Sequence, residues 1–156
     1  MRSAVILGQV AVPEIKNLQQ IKELAMPLKG CVELCDLDHA AFDLSPIIKE
    51  ACPCDLYATL WLGPHTDNIV GDVTVGVIIA GDHYLFTGNG RKVGDLVPGT
   101  VYALLNKKMH GAYARDMKNP TPLIFAACEP NVPAEDWREF CAKASKHLHE
   151  NLSFQT

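Results

Sequence analysis

Val73-Thr74-Val75-Gly76-Val77-Ile78-Ile79-Ala80, then Gly81-Asp82, then His83-Tyr84-Leu85-Phe86-Thr87 before Gly88-Asn89-Gly90, is the stretch on which the reading of the fold turns. β-Branched and aromatic residues favour extended backbone because they pack on a pleated surface, and Gly, Asn and Asp supply the turns between such runs. The same texture continues outward in both directions over residues 56–129, with candidate strands at 56–62, 73–80, 83–87, 96–97, 101–105, 108–114 and 123–128. Short strands spaced by about 8–12 residues predict a sandwich or barrel and not alternating βαβ units. Gly88-Asn89-Gly90 reads as a turn and not as a phosphate loop, since no helix start follows it.

Helical patterns flank this β region. Ile15, Leu18, Ile21, Leu24 and Leu28 recur at steps of three and four and stop before Gly30, which predicts an amphipathic helix. A second helix is expected within 38–51, where Ser45-Pro46 supplies an N-cap and a proline at the first helical position. A third follows Asn131-Val132-Pro133-Ala134-Glu135-Asp136, with Trp137, Phe140, Cys141, Ala144 and Leu148 on one stripe. The opening Val5-Ile6-Leu7 reads as a strand, because Gln9 and Pro13-Glu14 end the apolar run before any signal-peptide cleavage pattern. The expectation is one α+β domain over 1–156, with a β core at about 56–129, N-terminal helical support at 14–51 and a C-terminal helix at 133–151; 156 residues suit a single core.

An apolar fraction of 48% with 21% charged residues is the composition of a globular chain and not of a disordered one. A net charge of −4 gives no general attraction to a phosphate backbone, so no nucleic-acid surface is expected. The local basic groups are Arg91-Lys92, Lys107-Lys108 and the segment from Arg115 to Lys118. They read as solvated strand ends and turns, with anion binding as the alternative. No run approaches the roughly 18 apolar residues that span a bilayer. The six cysteines Cys31, Cys35, Cys52, Cys54, Cys128 and Cys141 are expected to stay thiols in a reducing, cytoplasmic compartment. Structural zinc on the first four is disfavoured, because C-x-C beside C-x3-C is not the usual knuckle spacing.

Chemistry concentrates in Tyr57-Ala58-Thr59-Leu60-Trp61-Leu62-Gly63-Pro64-His65-Thr66-Asp67-Asn68. If the chain stays extended, His65 and Asp67 project from one face with Cα atoms about 7 Å apart, close enough to share an ion. His110, in Met109-His110-Gly111-Ala112, supplies a third ligand from a later strand. Two imidazoles and one carboxylate leave three octahedral positions open on iron, and one tetrahedral position on zinc. The plain alternative is that Pro64-His65-Thr66-Asp67 is a turn, with Asp67 capping backbone amides. His39, His83, His147 and His149 read as structural, and Tyr57, Trp61, Tyr102 and Tyr113 as packing aromatics.

A tyrosine-bearing strand, Pro-His-Thr-Asp, an apolar strand, Gly94-Asp95 and a distal His110 together resemble the iron(II)- and 2-oxoglutarate-dependent oxygenases over about residues 57–127. The resemblance implies a double-stranded β-helix, a jelly-roll or cupin-like core with flanking helices. It also implies Fe(II) held by His65, Asp67 and His110, with 2-oxoglutarate as cosubstrate and a small molecule or protein side chain as the substrate to be oxidised. In that family a basic residue on the strand after the distal His commonly holds the cosubstrate. Leu123-Ile124-Phe125-Ala126-Ala127 carries none, so the role falls to Lys118, Arg115 or Arg91, with Lys118 favoured. Arg115 is an odd number of residues from His110 and faces away from it unless a bulge intervenes. Tyr57 is the implied hydrogen-bond partner of the same cosubstrate. A cupin-like metal isomerase or hydrolase without 2-oxoglutarate is the alternative, and a non-catalytic β-barrel binding module the third. The assembly is read as either a small monomer or a homodimer.

Overall fold

The structure, a computed structural model, describes residues 2–12, 15, 18–25, 32, 33 and 54–155. In chain order its elements are β1 (Ala4–Gln9), α1 (Leu18–Ala25), β2 (Val32–Glu33), β3 (Asp55–Thr59), β4 (Leu62–His65), β5 (Val73–Ala80), β6 (His83–Thr87), β7 (Lys92–Leu96), β8 (Thr100–Leu105), β9 (His110–Ala114), β10 (Leu123–Cys128) and α2 (Trp137–Gln155). The Gly88-Asn89-Gly90 turn is their organising centre. Gly90 takes the left-handed conformation at φ 78°, and its N–H donates to the Thr87 carbonyl at 2.9 Å, closing a three-residue hairpin loop.

Pairing spreads outward from that turn as a nested antiparallel set: β6 with β7, β5 with β8, β4 with β9, and β3 with β10. This long hairpin is then rolled up, because β5 also pairs with β10 and β6 with β9. The outcome is a six-stranded sheet, β1-β8-β5-β10-β3-β2, facing a four-stranded one, β4-β9-β6-β7. That strand order is a jelly roll, the double-stranded β-helix, and with its helices the chain is of the α+β class.

Several boundaries differ from the sequence reading. The run 56–62 is two strands, since the chain leaves one sheet at Thr59 and enters the other at Leu62. The crossing is held by the Thr59 hydroxyl on the Trp61 carbonyl at 3.2 Å and by His83 Nε2–H on the Leu60 carbonyl at 2.6 Å. The 96–97 element is the end of the longer β7, whose Gly94-Asp95 hid its strand character. Lys108 and Met109 lie in a turn, and β9 begins at His110. α1 falls within the 15–28 stripe, and α2 follows a 3-10 turn at Ala134–Asp136. The helix expected within 38–51 lies outside the described residues.

Two apolar clusters give the molecule its layers. Val73, Val75, Val77 and Ile79 of β5 join Leu56, Val101, Ala103 and Ile124 beneath Trp137, Phe140, Ala144 and Leu148 of α2. The alternate positions point the other way, so Ile78 joins Leu85, Leu96, Tyr102, Leu104, Ala112 and Leu123 between the two sheets. With both faces covered, β5 is buried at every position, which is why it reads as a nearly continuous apolar run broken only by Thr74. Two bonds fix α2 on β1: Trp137 Nε1–H donates to the Arg2 carbonyl at 2.8 Å and the Ser145 hydroxyl to the Leu7 carbonyl at 2.9 Å. Among the described residues no helix is long and apolar enough to cross a membrane.

Candidate metal centre

His65 ends β4 and His110 begins β9, and the two residues are directly paired across the four-stranded sheet. Leu62 pairs with Ala112, so the same span holds three steps on β4 and two on β9. Strict alternation over three steps would send His65 to the face opposite Leu62. The extra residue is absorbed as a bulge at Gly63-Pro64, where proline costs no ladder bond because β4 is an edge strand. Leu62, His65, His110 and Ala112 consequently all line the space between the sheets.

Asp67 follows β4 and reaches both rings, with Oδ1 3.4 Å from His65 Nε2 and Oδ2 3.1 Å from His110 Nε2. Ligand atoms of the three residues all lie within 4.8 Å of one another. The ring orientations are set from behind: His65 Nδ1 is 2.7 Å from the Gly63 carbonyl and His110 Nδ1 is 2.9 Å from the Lys108 carbonyl. A carbonyl only accepts, so each Nδ1 carries a proton and each ring turns its Nε2 toward Asp67. Two Nε2 atoms and a carboxylate then face one point, where protons on the rings hydrogen-bond to Asp67 or a metal cation takes their place.

The titration behaviour follows. Burial alone raises the Asp67 carboxyl, but hydrogen bonds from His110 and His65 outweigh it and hold the group well below the usual carboxylate range. His65 is raised above its ordinary value, chiefly by its hydrogen bond to Asp67, against the opposing effect of burial. His110 is 4% exposed and His65 and Asp67 are about one-third exposed, so the centre sits at the mouth of the roll with one side open.

Behind it lies a cavity of about 730 Å³ between the sheets. Its wall is mostly apolar: Ile78, Leu85, Leu96, Leu104, Leu123 and Phe125. Tyr57 also lines it, stacked on Phe125 at 5.3 Å, as does Tyr102, whose ring lies over Gly76 where a Cβ would collide with it. Among the described residues the charged members of the lining, apart from histidine, are Asp55, Asp67 and Glu129, with no lysine or arginine.

Of the residues expected to hold 2-oxoglutarate, only Tyr57 is at the cavity. Arg115 lies beyond β9 and is engaged elsewhere, with Nε on Asp82 at 2.9 Å and Nη2 on Asp95 at 2.8 Å, on the side that its odd offset from His110 predicts. Lys118 is exposed in the loop after β9, and Arg91 borders a different groove. Asn106, absent from the sequence reading, holds the centre together. It is fully buried, its carbonyl accepts from Asp67 N–H at 2.8 Å, its Nδ2–H donates to the Gly71 carbonyl at 2.9 Å and its Oδ1 accepts from the Thr74 hydroxyl at 2.6 Å. In sequence it looks like any asparagine before a Lys-Lys turn.

No family model and no curated relative matches the chain. Among solved structures it is similar to the protein TT1209 from Thermus thermophilus, at 18% identity over 75% of this chain and 97% of that one, with a TM-score of 0.44. A cupin superfamily protein from Desulfitobacterium hafniense aligns at 12% identity over 80% and 99% of the two chains, TM-score 0.44. The Cupin_2 domain of an XRE family transcriptional regulator from Enterobacter cloacae aligns at 16% over 64% and 92%, TM-score 0.39. The jelly roll itself stands on the strand order.

Proposed function

We propose that His65, Asp67 and His110 hold a divalent transition metal, and that the chain is a metal-dependent enzyme acting on a small, largely apolar molecule seated between the sheets. The observation that carries this reading is the pair of Nδ1–H bonds to backbone carbonyls, which turns two Nε2 atoms and a carboxylate toward one point. The donor set suits iron(II), and a bound ion supplies Lewis acidity and open positions for substrate or dioxygen. The protein orients the ligands through Gly63, Lys108 and Asn106, excludes water with the apolar wall, and leaves one side of the centre open to the cavity.

Oxygenase chemistry of the 2-oxoglutarate-dependent kind asks in addition for a cation facing the dicarboxylate. Among the described residues the lining offers three carboxylates and no lysine or arginine. That charge pattern favours the cupin-like alternative, a metal enzyme without this cosubstrate, over the 2-oxoglutarate-dependent oxygenase.

Anaerobic titration of iron(II), with and without 2-oxoglutarate, into wild type and into His65→Ala, Asp67→Ala and His110→Ala separates these readings. Stoichiometric iron binding lost in all three variants, with no visible charge-transfer band on adding 2-oxoglutarate, is the expected result. A band in wild type would restore the 2-oxoglutarate oxygenase, and absence of any metal affinity would leave a non-catalytic binding module.

A further inference from the structure

A second concavity, of about 440 Å³, opens outside the roll between the start of β1, the β6–β7 turn and the β8–β9 turn. Its lining brings together Arg2, Arg91, Lys92 and Lys108, from three separate parts of the chain, with Ser3, Thr87 and Asn89 between them. Among the described residues no aspartate or glutamate contributes to it, although the chain holds 18 acidic residues against 14 basic ones.

Basic side chains on an acidic protein ordinarily find carboxylates, as Arg115 does with Asp82 and Asp95. Lys92 is 2.9 Å from Asp95 and is partly neutralised. Arg2, Arg91 and Lys108 make no ion pair among the described residues, so three cations face one concavity with their mutual repulsion uncompensated. The turn adds a neutral donor. Asn89 Oδ1 accepts from the Thr87 hydroxyl at 2.7 Å and from Arg91 N–H at 3.2 Å, which fixes the amide and leaves its NH₂ available.

We propose that this groove binds a small, multiply charged anion, a phosphate ester or pyrophosphate group, with Arg91 and Arg2 as forked donors, Lys108 as a point charge and Asn89 as the neutral contact. The chemistry is that of phosphate recognition, in which planar guanidinium groups pair two oxygens at once and an ammonium adds charge without direction. The volume is that of a small-ligand site.

Inorganic pyrophosphate is the probe, titrated calorimetrically into the metal-free full chain. The expected result is saturable binding that weakens with added salt, falls at least tenfold in Arg91→Ala/Lys108→Ala, and is unchanged in Lys143→Ala, whose ammonium pairs with Glu139 on α2. Circular dichroism confirms that the double variant is folded, and Arg2→Ala, expected to weaken binding in the same direction, provides the second variant. His65→Ala must bind pyrophosphate as wild type does; if it does not, the anion sits at the metal centre and the proposal falls. Absence of saturable binding, or undiminished binding in Arg91→Ala/Lys108→Ala, overturns it as well. So does adsorption to phosphatidylglycerol vesicles without affinity for pyrophosphate, which would make the surface a membrane contact.

Discussion

Three histidines stand at strand ends in this fold, and the engagement of each ring decides its role. His83 has both nitrogens in use, Nε2–H donating to the Leu60 carbonyl and Nδ1 accepting from Asp82 N–H at 3.1 Å, so no lone pair is left for a ligand. His65 and His110 use only Nδ1 against backbone and keep Nε2 for the centre. Burial pushes His83 below its ordinary value of 6.5, against the raising effects of the Leu60 carbonyl and Asp82. The folded state therefore resists a proton that the unfolded chain accepts. Unfolding takes up that proton below about pH 6.5, so this contribution to stability is complete above that pH and is lost as pH falls through it. His65, raised by Asp67, acts with the opposite sign: its stabilisation is full below the unfolded value and fades as pH rises through the folded one. Comparison of wild type with His83→Gln isolates the first effect. In urea unfolding at about pH 7.5 and pH 5.5, wild type should lose more stability than the variant between the two. Equal losses would show that His83 does not titrate in this window.

At the scale of elements, the loop after β4 and the turn before β9 carry the ligands, and Asn106 ties one to the other. Asn106→Ala leaves the Gly71 carbonyl and the Thr74 hydroxyl without their partner, at a cost of about 1–3 kcal/mol for each buried group. The loop bearing Asp67 then loses its side-chain anchor at Gly71 and keeps only the Asp67 N–H bond to the Asn106 carbonyl, so iron(II) affinity should fall by about 10-fold, the lower end of the effect of disturbing groups around metal ligands. Metal titration of folded Asn106→Ala checks this, and an unchanged affinity would show that the Asp67 N–H bond to the Asn106 carbonyl suffices. Strand texture and the stripes at 18–25 and 137–148 were legible because they follow from local periodicity, and the set His65, Asp67 and His110 from residue chemistry and the order of the parts along the chain. The sheet crossing at Leu60-Trp61, the bulge at Gly63-Pro64 and the role of Asn106 were not, because each is defined by a pairing with residues far along the chain. The surroundings of the basic candidates were not legible either: Arg115 is paired with Asp82 and Asp95, and Lys118 stands exposed in the loop after β9.

At the scale of the molecule, the two sides of the six-stranded sheet are packed for different purposes. The side under α2 is filled, with Val73, Val75, Val77, Val101, Ala103 and Ile124 fully buried among helix side chains. The side facing the four-stranded sheet keeps about 730 Å³ of open volume although its wall is largely apolar. Stability should thus come from the helix–sheet layer, and the interior of the roll should be free to take a ligand. Two alanines separate these roles. Ala103, at 0% exposure in the filled layer, has no room for growth, so Ala103→Leu should overpack and cost about 1–3 kcal/mol. Ala112 lines the open cavity, so Ala112→Leu can place its added methyls in existing space and should leave the urea midpoint unchanged or raise it. If the cavity is the substrate chamber, Ala112→Leu should also bind iron(II) normally, because Ala112 is not one of the three ligands, while its activity on any bulky apolar substrate falls. A large loss of stability in Ala112→Leu, matching that of Ala103→Leu, would mean that the two sheets close onto each other and that no chamber of this size exists.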